Sequence, residues 1–324
     1  MVARAWERVE GKKLGVSVPR AESRSGVEEM FVQNDAVSLC LLLNRRAKTM
    51  RVIDFRAGPS FAKRLFVLKL AKREGIEKVY TLVERDEVST WVKLGFQKEA
   101  NIPGFYKRSD AFILGCVVDD DALAVEPHLA TMDDDDDDVP VVNEPSPAHD
   151  RMEKTLVQAK KQVKELLDRP LPPTKLAIVK ESDVKKTIDR QVKANRALTA
   201  FEPFGRDVER RWFQLTARNA FELVASTESQ SCFGNAFLEL LSAPKSEHER
   251  LSTISALRTI CDKLLAEGVV SCFSMAPSDD IALATAFVFN GFRRTGLLKN
   301  HIVVGGQRKD AIVWSRKLAN PADE

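Results

Sequence analysis

One order of elements occurs twice in this sequence, once on each side of a run of six aspartates. A strand, a helix, a second strand and a short helix ending at Gly-Phe follow one another in both places. In the first copy these elements are predicted at residues 50–55, 61–72, 78–82 and 86–94, before Gly95 and Phe96. In the second copy they are predicted at residues 234–241, 246–267, 269–273 and 281–290, before Gly291 and Phe292. The repetition predicts two related α/β units on one chain.

Length and charge agree with two units separated by a linker. The 324 residues exceed the roughly 100 to 200 expected of one domain. Residues 1–118 carry 22 Lys/Arg against 14 Asp/Glu, residues 119–150 carry none against 12, and the remainder carry 28 against 21. Two basic lobes attract nucleic acid, but the tethered polyanion competes for the same surface. Nucleic-acid binding is therefore a minor alternative.

Targeting and metal signals are weak in this sequence. Its first residues are charged, without an apolar signal-peptide core, and no stretch approaches the ~20 apolar residues of a membrane helix. The five cysteines and four histidines are dispersed, with no CxxC pair. We therefore expect a cytoplasmic protein with free thiols and no metal site.

The segment between the copies divides into two parts. Residues 119–149 hold the aspartate run at 133–138 and several prolines, a composition that predicts a disordered linker. Residues 151–167 place Leu156, Ala159, Val163 and Leu166 at helical spacing. We therefore predict an N-terminal domain at 1–118, the linker, a connector helix within 150–173 that docks on one lobe, and a C-terminal domain at 174–324.

Further strands complete the two units. In the first lobe they are predicted at residues 29–33, 37–43 and 111–118, and in the second lobe at 176–179, with a helix at 183–196. Residues 211–217 and 220–226 alternate as two strands with a turn at Arg218 and Asn219, although 208–224 also fits a helix. The predicted class is α/β (α+β), with two mixed, mostly antiparallel sheets flanked by helices.

The ending of each copy resembles the C-terminal core of the GNAT acetyltransferase superfamily. The best match is VSTWVKLGF at 88–96 followed by IPGFYKRSDAFIL at 102–114; residues 284–292 and 311–315 match more loosely. The resemblance implies acyl-CoA-dependent N-acyltransfer, with acetyl-CoA in a V-shaped opening between the fourth and fifth strands. It also implies a pyrophosphate loop, Gln/Arg-x-x-Gly-x-Gly/Ala, at a helix N-terminus, where free N–H groups attract phosphate.

Both copies depart from that loop. The first reads RAGPSFAKR at 56–64, with one glycine, and its candidate cofactor-binding residues are Arg56, Gly58, Ser60, Lys63 and Arg64. An ordinary capped helix with a solvated basic face is the alternative. The second, at 244–250, has no glycine; Ser246 and Glu249 predict a capping box, and Glu247 adds negative charge.

The catalytic positions are altered as well. The family often has a tyrosine four residues before the glycine of Gly-Phe, where this chain has Trp91 and Phe287. Asp54 or Glu239 on the fourth strands are candidate bases, with a solvent-facing strand carboxylate as the alternative. Tyr106 is a candidate acid, with a packed ring as the alternative.

Two functions follow from these departures. By resemblance the protein is an acyl-CoA-dependent N-acyltransferase that uses acetyl-CoA, with no tightly bound cofactor or metal. The rival is a catalytically inactive GNAT-fold scaffold that binds a protein partner or senses a ligand. The first lobe also lacks room for the two helices that normally follow the first strand, because only residues 19–27 are available.

Overall fold

A computed structural model of the protein describes residues 27–33, 38–54, 60–106, 109–120, 122, 146–206, 208–229 and 233–319. Within these residues thirteen strands form one continuous sheet, in the order β1-β2-β3-β4-β6-β5-β12-β13-β11-β10-β9-β8-β7. The aspartate run at 133–138 lies outside the described residues.

Lobe 1 supplies the first six strands of the sheet. They are β1 (Val27–Gln33), β2 (Ser38–Asn44), β3 (Thr49–Asp54), β4 (Lys78–Val83), β5 (Gln97–Ile102) and β6 (Ala111–Val117), with helices α1 (Phe61–Arg73) and α2 (Val88–Lys93). A 3₁₀ turn, Arg85–Glu87, precedes α2. Strands β3 and β4 are parallel and α1 connects them, whereas the other pairs are antiparallel. Gly95 ends the α2 segment with a φ of +82°, a conformation that favours glycine.

Lobe 2 repeats this arrangement with more helix. Its strands are β7 (Lys175–Val179), β8 (Glu209–Ala217), β9 (Phe221–Ser229), β10 (Asn235–Leu240), β11 (Ser271–Pro277), β12 (Arg293–Val304) and β13 (Gln307–Lys317). Its helices are α4 (Glu181–Lys193), α5 (Glu247–Ala266) and α6 (Ile281–Phe289). Strands β10 and β11 are parallel and α5 connects them. The duplicated α/β class expected from the sequence is confirmed, but the two separate sheets expected of the lobes are wrong, because β5 and β12 join them into one sheet.

The alternative helix over 208–224 is wrong. Strands β8 and β9 pair over their full lengths, and the turn places Asn219 and Ala220 at positive φ, 58° and 55°. Alternation prevails because Phe213 and Leu215 point into the core on one face of the sheet.

The two lobes meet edge to edge between β5 and β12. Gly296 pairs with Ala100 there, and a Cβ on Gly296 would lie 2.3 Å from the Cα of Ala100, so the close approach requires glycine. Beside this contact the buried Lys78 ammonium donates to the Glu99 carboxylate and to the Lys299 carbonyl, each at 2.5 Å. One strand contact and the hydrogen bond from Lys78 to the Lys299 carbonyl thus join the lobes at this point, while the Lys78–Glu99 ion pair lies within lobe 1.

Helix α3 (Pro147–Leu166) lies against lobe 2. Ser146 caps it by accepting a hydrogen bond from the His149 N–H, and Pro147 occupies the first turn. Met152, Leu156 and Ala159 are buried in the core that α3 shares with α5 and α6.

The sheet buries both of its faces. One face of lobe 1 packs on α1 and α2, and the corresponding face of lobe 2 packs on α3, α5 and α6. The opposite face is shared by the lobes and is rich in aromatic side chains: Tyr80, Phe105, Phe204, Phe237 and Phe273. In this cluster the side chains of lobe 1 pack against those of lobe 2. The polar residues that line the cavity between the lobes lie at the edge of the cluster.

Candidate functional site between the lobes

The predicted cofactor residues of lobe 1 are only partly described. Arg56 and Gly58 lie outside the described residues. Ser60 is the N-cap of α1, and its Oγ accepts a hydrogen bond from the Lys63 N–H at 3.3 Å. The Lys63 and Arg64 side chains are only 6% and 3% exposed, so the alternative of a solvated basic face is wrong. Their role as phosphate ligands stays a prediction.

Arg64 points into the protein beside Gly95. Its Nη2 donates to the Ala122 carbonyl at 2.6 Å, while Nε and Nη1 have no hydrogen-bond partner among the described residues. A Cβ on Gly95 would come within 3.3 Å of this guanidinium. The charge expected at the first turn of α1 is therefore turned inward.

The parallel register of β3 and β4 ends at Val52 and Thr81. A cavity of about 10 Å³ lies nearby between β3 and the helices α1 and α2, lined by residues that include Val52, Arg64, Trp91 and Phe96. Thr81 Oγ1 donates to the Val52 carbonyl at 3.1 Å across the two strands. Because a single water needs roughly 10 to 15 Å³, this space holds one water at most.

The predicted catalytic pair of lobe 1 gains little support. Asp54 ends β3, and its side chain lies outside what the structure describes. The Tyr106 ring packs edge-on against Phe105 and Phe233, at centroid distances of 4.9 and 5.4 Å. Burial raises the pKa of Tyr106 to about 12, which makes its phenol a weak acid at neutral pH. These contacts match the packed-ring alternative.

In lobe 2 the N-terminus of α5 is closed by its own cap. Ser246 Oγ accepts from the Glu249 N–H at 3.2 Å, as the capping box predicts. The Glu249 carboxylate accepts from the Lys245 N–H at 2.7 Å, one residue before the N–H expected of a capping box. Glu247 binds Arg169. Little of this helix end is left to attract a phosphate.

Helix α3 packs along α6 and reaches α5 through Gln162. The side-chain oxygen of Gln162 accepts from Arg250 Nη1 on α5 at 2.8 Å and from Thr285 Oγ1 on α6 at 2.9 Å. Beneath it, Phe287 stacks on Trp314 with ring centroids 5.3 Å apart. The face of lobe 2 between α5 and α6 is thus occupied by the chain itself.

A larger cavity lies on the opposite face, between the lobes. The parallel register of β10 and β11 ends at Leu238 and Ser274, although both strands continue. A partly open cavity of about 90 Å³ adjoins this point. Its polar lining comes from both lobes: Asn44, Arg46, Thr49 and Tyr80 from lobe 1, and Thr199, Glu202, Glu239 and His301 from lobe 2.

Arg46 reaches from the β2–β3 turn of lobe 1 to Glu202 of lobe 2. Its Nε donates to one carboxylate oxygen at 2.5 Å, its Nη2 to the other at 3.1 Å, and its Nη1 to the Val303 carbonyl at 3.2 Å. Burial opposes ionisation of Glu202, but the Arg46 hydrogen bonds and charge hold its pKa below the ordinary value. The pair ties the two lobes together at the cavity wall.

Glu239 on β10 is the second carboxylate of the cavity. It accepts from Thr199 Oγ1 at 2.6 Å and from Arg210 Nη1 at 2.8 Å, and Arg210 also binds Glu228 at 2.7 Å. Burial raises the pKa of Glu239 to about 7 in spite of these donors. The residue is 8% exposed, so a solvent-facing strand carboxylate is wrong for this position.

Tyr80 and His301 meet edge to edge in the same cavity, with ring centroids 4.8 Å apart. His301 Nδ1 is buried and has no hydrogen-bond partner among the described residues. Burial, with the charges of Lys78 and Arg308, holds the pKa of His301 well below its ordinary value. Sequence reasoning missed both residues, because they come from different lobes and follow no shared spacing.

Two expected properties can be compared with the described part of the chain. It contains no cluster of three or more residues that could hold a metal ion, and no helix long and apolar enough to cross a membrane. Cys40, Cys116, Cys261 and Cys272 are buried free thiols, as expected.

Each lobe has a GNAT-like fold, because each contains the parallel strand pair around a helix, the short helix ending at Gly-Phe and the final antiparallel strands. No protein-family model matches the sequence, and no curated protein matches it. Among solved structures, the chain is similar to the ribosomal-protein-S18-alanine N-acetyltransferase from Escherichia coli, with 18% identity and a TM-score of 0.35. That match covers 46% of this chain and 96% of the other.

A spermidine N-acetyltransferase from Vibrio cholerae, solved with CoA and spermine, is similar at 12% identity and a TM-score of 0.36. The match covers 45% of this chain and 95% of the other. At these values neither likeness assigns a ligand or a reaction to this chain.

Proposed function

We propose that this protein works by binding, as a catalytically inactive scaffold of two GNAT-like lobes, and does not transfer acyl groups. The observation that carries the proposal is the position of α3 on lobe 2. By the resemblance, an acyl donor would approach the opening between β10 and β11 from the N-terminus of α5. Here α3 lies on α5 and α6 and is hydrogen-bonded to both through Gln162.

Removing α3 from this face has a substantial free-energy cost. Met152 and Leu156 are 1% and 6% exposed, and each such side chain stabilises its buried position by about 1.5 to 3 kcal/mol. Removal of α3 would also break the hydrogen bonds that Arg250 and Thr285 donate to the Gln162 oxygen. A donor would therefore have to displace a well-packed helix.

Lobe 1 offers no substitute site among its described residues. The cavity between β3 and the helices α1 and α2 holds one water at most, and the Thr81 hydroxyl donates to the Val52 carbonyl where β3 and β4 separate. Trp91 is buried edge-on against Phe96 and has no acidic proton to give a departing thiolate. For acetyl-CoA to bind at Ser60, Lys63 and Arg64, the buried side chains of Lys63 and Arg64 would have to turn outward.

One observation favours N-acyltransfer to an amine as a second candidate. A general base works best when its pKa lies near the operating pH, and Glu239 meets that condition with a pKa of about 7. It also lines the cavity, where an amine would have room. The matching proton donor is missing at Phe287, which stacks on Trp314 in the core.

Calorimetric titration with acetyl-CoA and then with desulfo-CoA, at low and moderate salt, tests the proposal. We expect no saturable heat from either compound. Micromolar, saturable binding at about one site per chain would overturn the proposal and revive the transferase. A thiol-release assay with a panel of amines would then decide whether the bound donor is turned over.

The proposed scaffold also needs a partner or a ligand. Affinity capture with the full chain tests the protein partner expected from the sequence, and titration with duplex DNA at two salt concentrations tests the minor nucleic-acid alternative. Nucleic-acid affinity that falls steeply with salt, and increases when residues 133–138 are deleted, would support that alternative.

A further inference from the structure

We infer that residues 198–206, a segment of lobe 2 without helix or strand, form a strap that is closed over the cavity between the lobes while Glu239 is neutral and opens when Glu239 ionises. Access to the cavity then increases with pH. The inference goes beyond the proposed function, because it concerns a moving part of the fold and holds whether or not the protein transfers acyl groups. It stands on the contacts of the strap, one strained residue within it, and the buried carboxylate that it covers.

The strap bridges the two lobes at the wall of the cavity. Five of its residues line the cavity: Leu198, Thr199, Glu202, Pro203 and Phe204. On the side of lobe 1, Arg46 binds Glu202, and Arg51 donates to the Phe204 carbonyl. Arg206 pairs with a carboxylate of β1 at 2.8 Å. Since no residue of the strap belongs to a described strand, the strap can move without unpairing the sheet.

Lobe 2 holds the strap through two carboxylates. Glu228 on β9 accepts two backbone N–H groups of the strap, at 2.9 and 2.6 Å. Glu239 on β10 accepts the Thr199 hydroxyl at 2.6 Å. The two carboxylates share Arg210, which donates to each of them. Among the described residues Glu239 therefore has no cation of its own.

Phe201, in the middle of the strap, is strained. Its φ is +59°, a conformation that is rare for a bulky residue and persists only where its surroundings hold it. The ring is 3% exposed and packs edge-on against Trp212, with centroids 4.8 Å apart. The Phe201 N–H donates at 2.7 Å to the same Thr199 hydroxyl that binds Glu239. A weaker hold on this hydroxyl would thus favour opening.

Glu239 changes charge near neutral pH. Burial raises its pKa to about 7, and the neighbouring carboxylates of Glu228 and Glu202 add to that effect, although Arg210 and Thr199 oppose it. The residue is 8% exposed, so its ionised form is a buried charge that shares one arginine with a second carboxylate. Hydration of Glu239 would relieve that cost, and the strap is one of the elements that exclude water from it.

Charged or titratable groups surround Glu239 on every side: Arg210 on β8, Glu228 on β9, Glu202 in the strap, Arg46 on the β2–β3 turn, Tyr80 on β4 and His301 on β12. Although Glu202 is buried, Arg46 holds its pKa low. Burial raises the pKa of Tyr80 to about 12 and, with two nearby cations, lowers that of His301. Glu202 therefore stays ionised near neutral pH while both rings stay neutral, and Glu239 is the carboxyl of the cavity lining that titrates there.

The direction of the pH effect follows from proton binding. When the strap opens, the pKa of Glu239 returns toward its ordinary value of 4.5, so the closed form binds more protons than the open form between pH 4.5 and 7. The advantage of the closed form is complete below about pH 4.5 and is lost as the pH rises through 7. Between pH 5 and pH 8 the ratio of open to closed molecules should increase about 70-fold.

Hydrogen exchange of the full chain, followed by mass spectrometry between pH 5 and pH 8, tests this inference. At each pH the wild type is compared with Glu239→Gln, which keeps the shape of the side chain and stays neutral, so the effect of pH on the exchange chemistry cancels. We expect the protection of residues 198–206 to fall about 70-fold in the wild type relative to the variant.

A second series in low concentrations of urea separates opening of the strap from global unfolding. Helix α5, which packs in the core of lobe 2, should exchange slowly and respond strongly to urea, because its opening exposes much surface. The strap should exchange faster than α5 and respond little to urea, because its opening exposes little surface.

Two further variants locate the effect. Glu222→Gln, on β9 and bonded to Gln214 outside the cavity, removes a carboxylate that does not touch the strap and should keep the response of the wild type. Thr199→Val keeps the shape and removes the hydroxyl between Glu239 and Phe201. It should increase exchange of the strap about fivefold to tenfold at pH 5, the usual effect of one hydrogen bond.

A constant ratio of wild type to Glu239→Gln across this pH range would overturn the inference. Exchange of the strap that follows α5 in urea would assign the pH effect to global unfolding, and a lost response in Glu222→Gln would assign it to general charge; either result would also overturn it. If Glu239→Gln fails to fold, the wild type still decides, because exchange rates of an unstructured peptide with the sequence of the strap supply the correction for pH.

Discussion

The two lobes differ in how the space beneath their helices is filled. In the described part of lobe 1 a cavity of about 10 Å³ lies between β3, α1 and α2, and Arg64 is turned inward. Lobe 2 keeps the longer helices, but α3 covers one face and a cavity remains on the other. The same fold therefore closes from within in one copy and by an added helix in the other.

The comparison shows that the cavity of about 90 Å³ is formed by the two lobes together and not by either lobe alone. Lobe 1 supplies Arg46 and Tyr80 to a cavity whose carboxylates come from lobe 2. The cavity therefore depends on the contact between the lobes.

The largest effect is expected at the junction. Lys78→Met leaves the Glu99 carboxylate, 5% exposed, without its buried ammonium, which should cost about 3 to 5 kcal/mol of unfolding free energy. Lys78→Met with Glu99→Met should recover most of that loss, because no buried charge remains unpaired. Urea unfolding followed by circular dichroism measures both.

Lys48→Met is the matched control, since Lys48 and its partner Glu77 are about half exposed. It should cost no more than about 1 kcal/mol. A loss in Lys78→Met that equals the loss in Lys48→Met would show that burial does not make the Lys78–Glu99 pair of lobe 1 more important to stability than an exposed pair.

The second prediction uses the pH dependence of Glu239. Burial raises its pKa from 4.5 to about 7, so the folded protein binds more protons than the unfolded chain between these values. Its contribution to stability is complete below about pH 4.5 and is lost as the pH rises through 7. The difference corresponds to about 3 kcal/mol.

Urea unfolding of the wild type and Glu239→Gln near pH 5 and near pH 8 isolates this contribution. Relative to the variant, the wild type should lose about 3 kcal/mol between the two conditions. His301, whose lowered pKa acts in the opposite direction at acid pH, is present in both proteins and cancels. A constant difference would mean that the carboxyl of Glu239 titrates normally.

The third prediction concerns the helix that covers lobe 2. Leu156→Ala opens a cavity between α3 and lobe 2 and should cost about 2 to 3 kcal/mol. Val157→Ala, one residue on and 66% exposed, should change stability by less than about 0.5 kcal/mol. Hydrogen exchange should show faster opening of α3 in Leu156→Ala, and equal exchange in both variants would contradict the packing described here.

The sequence predicts the duplicated architecture because its signals are local. Helical spacing, strand alternation and the Gly-Phe endings each lie within one element, so the parallel pairs around α1 and α5 follow from them. The helix starts at Ser60 and Ser246 are also local and are found as predicted. The sequence of residues 208–224 fits either two strands or one helix. The burial of Phe213 and Leu215 on one face of the sheet favours the strands β8 and β9.

The shared cavity is not predictable in this way. Tyr80, Arg46 and His301 are brought together by a strand contact at Gly296, for which no spacing in the sequence gives a signal. The inward turn of Lys63 and Arg64 is similarly invisible, because a cation on a first helical turn is usually solvated. The sequence indicates Glu239 as a candidate base, but its hydrogen bonds come from Thr199 and Arg210 on other elements, which no local pattern reveals.

The smallest effect is expected at the N-terminal caps of α1 and α5. Ser246 Oγ accepts from Glu249 N–H at 3.2 Å and the Glu249 carboxylate accepts from Lys245 N–H, whereas Ser60 Oγ accepts from Lys63 N–H at 3.3 Å without an acidic partner in its first turn. Ser246→Ala and Ser60→Ala should each cost about 1 kcal/mol in urea unfolding, the usual value of a capping serine.

Sodium phosphate separates the two starts further. Because α1 has no carboxylate in its first turn while α5 has Glu247 and Glu249, phosphate should restore part of the stability of Ser60→Ala and none of that of Ser246→Ala. Sodium chloride at equal ionic strength is the control. Equal recovery in the two variants would mean that the carboxylates on α5 do not exclude anions, and the electrostatic part of the contrast between the lobes would be lost.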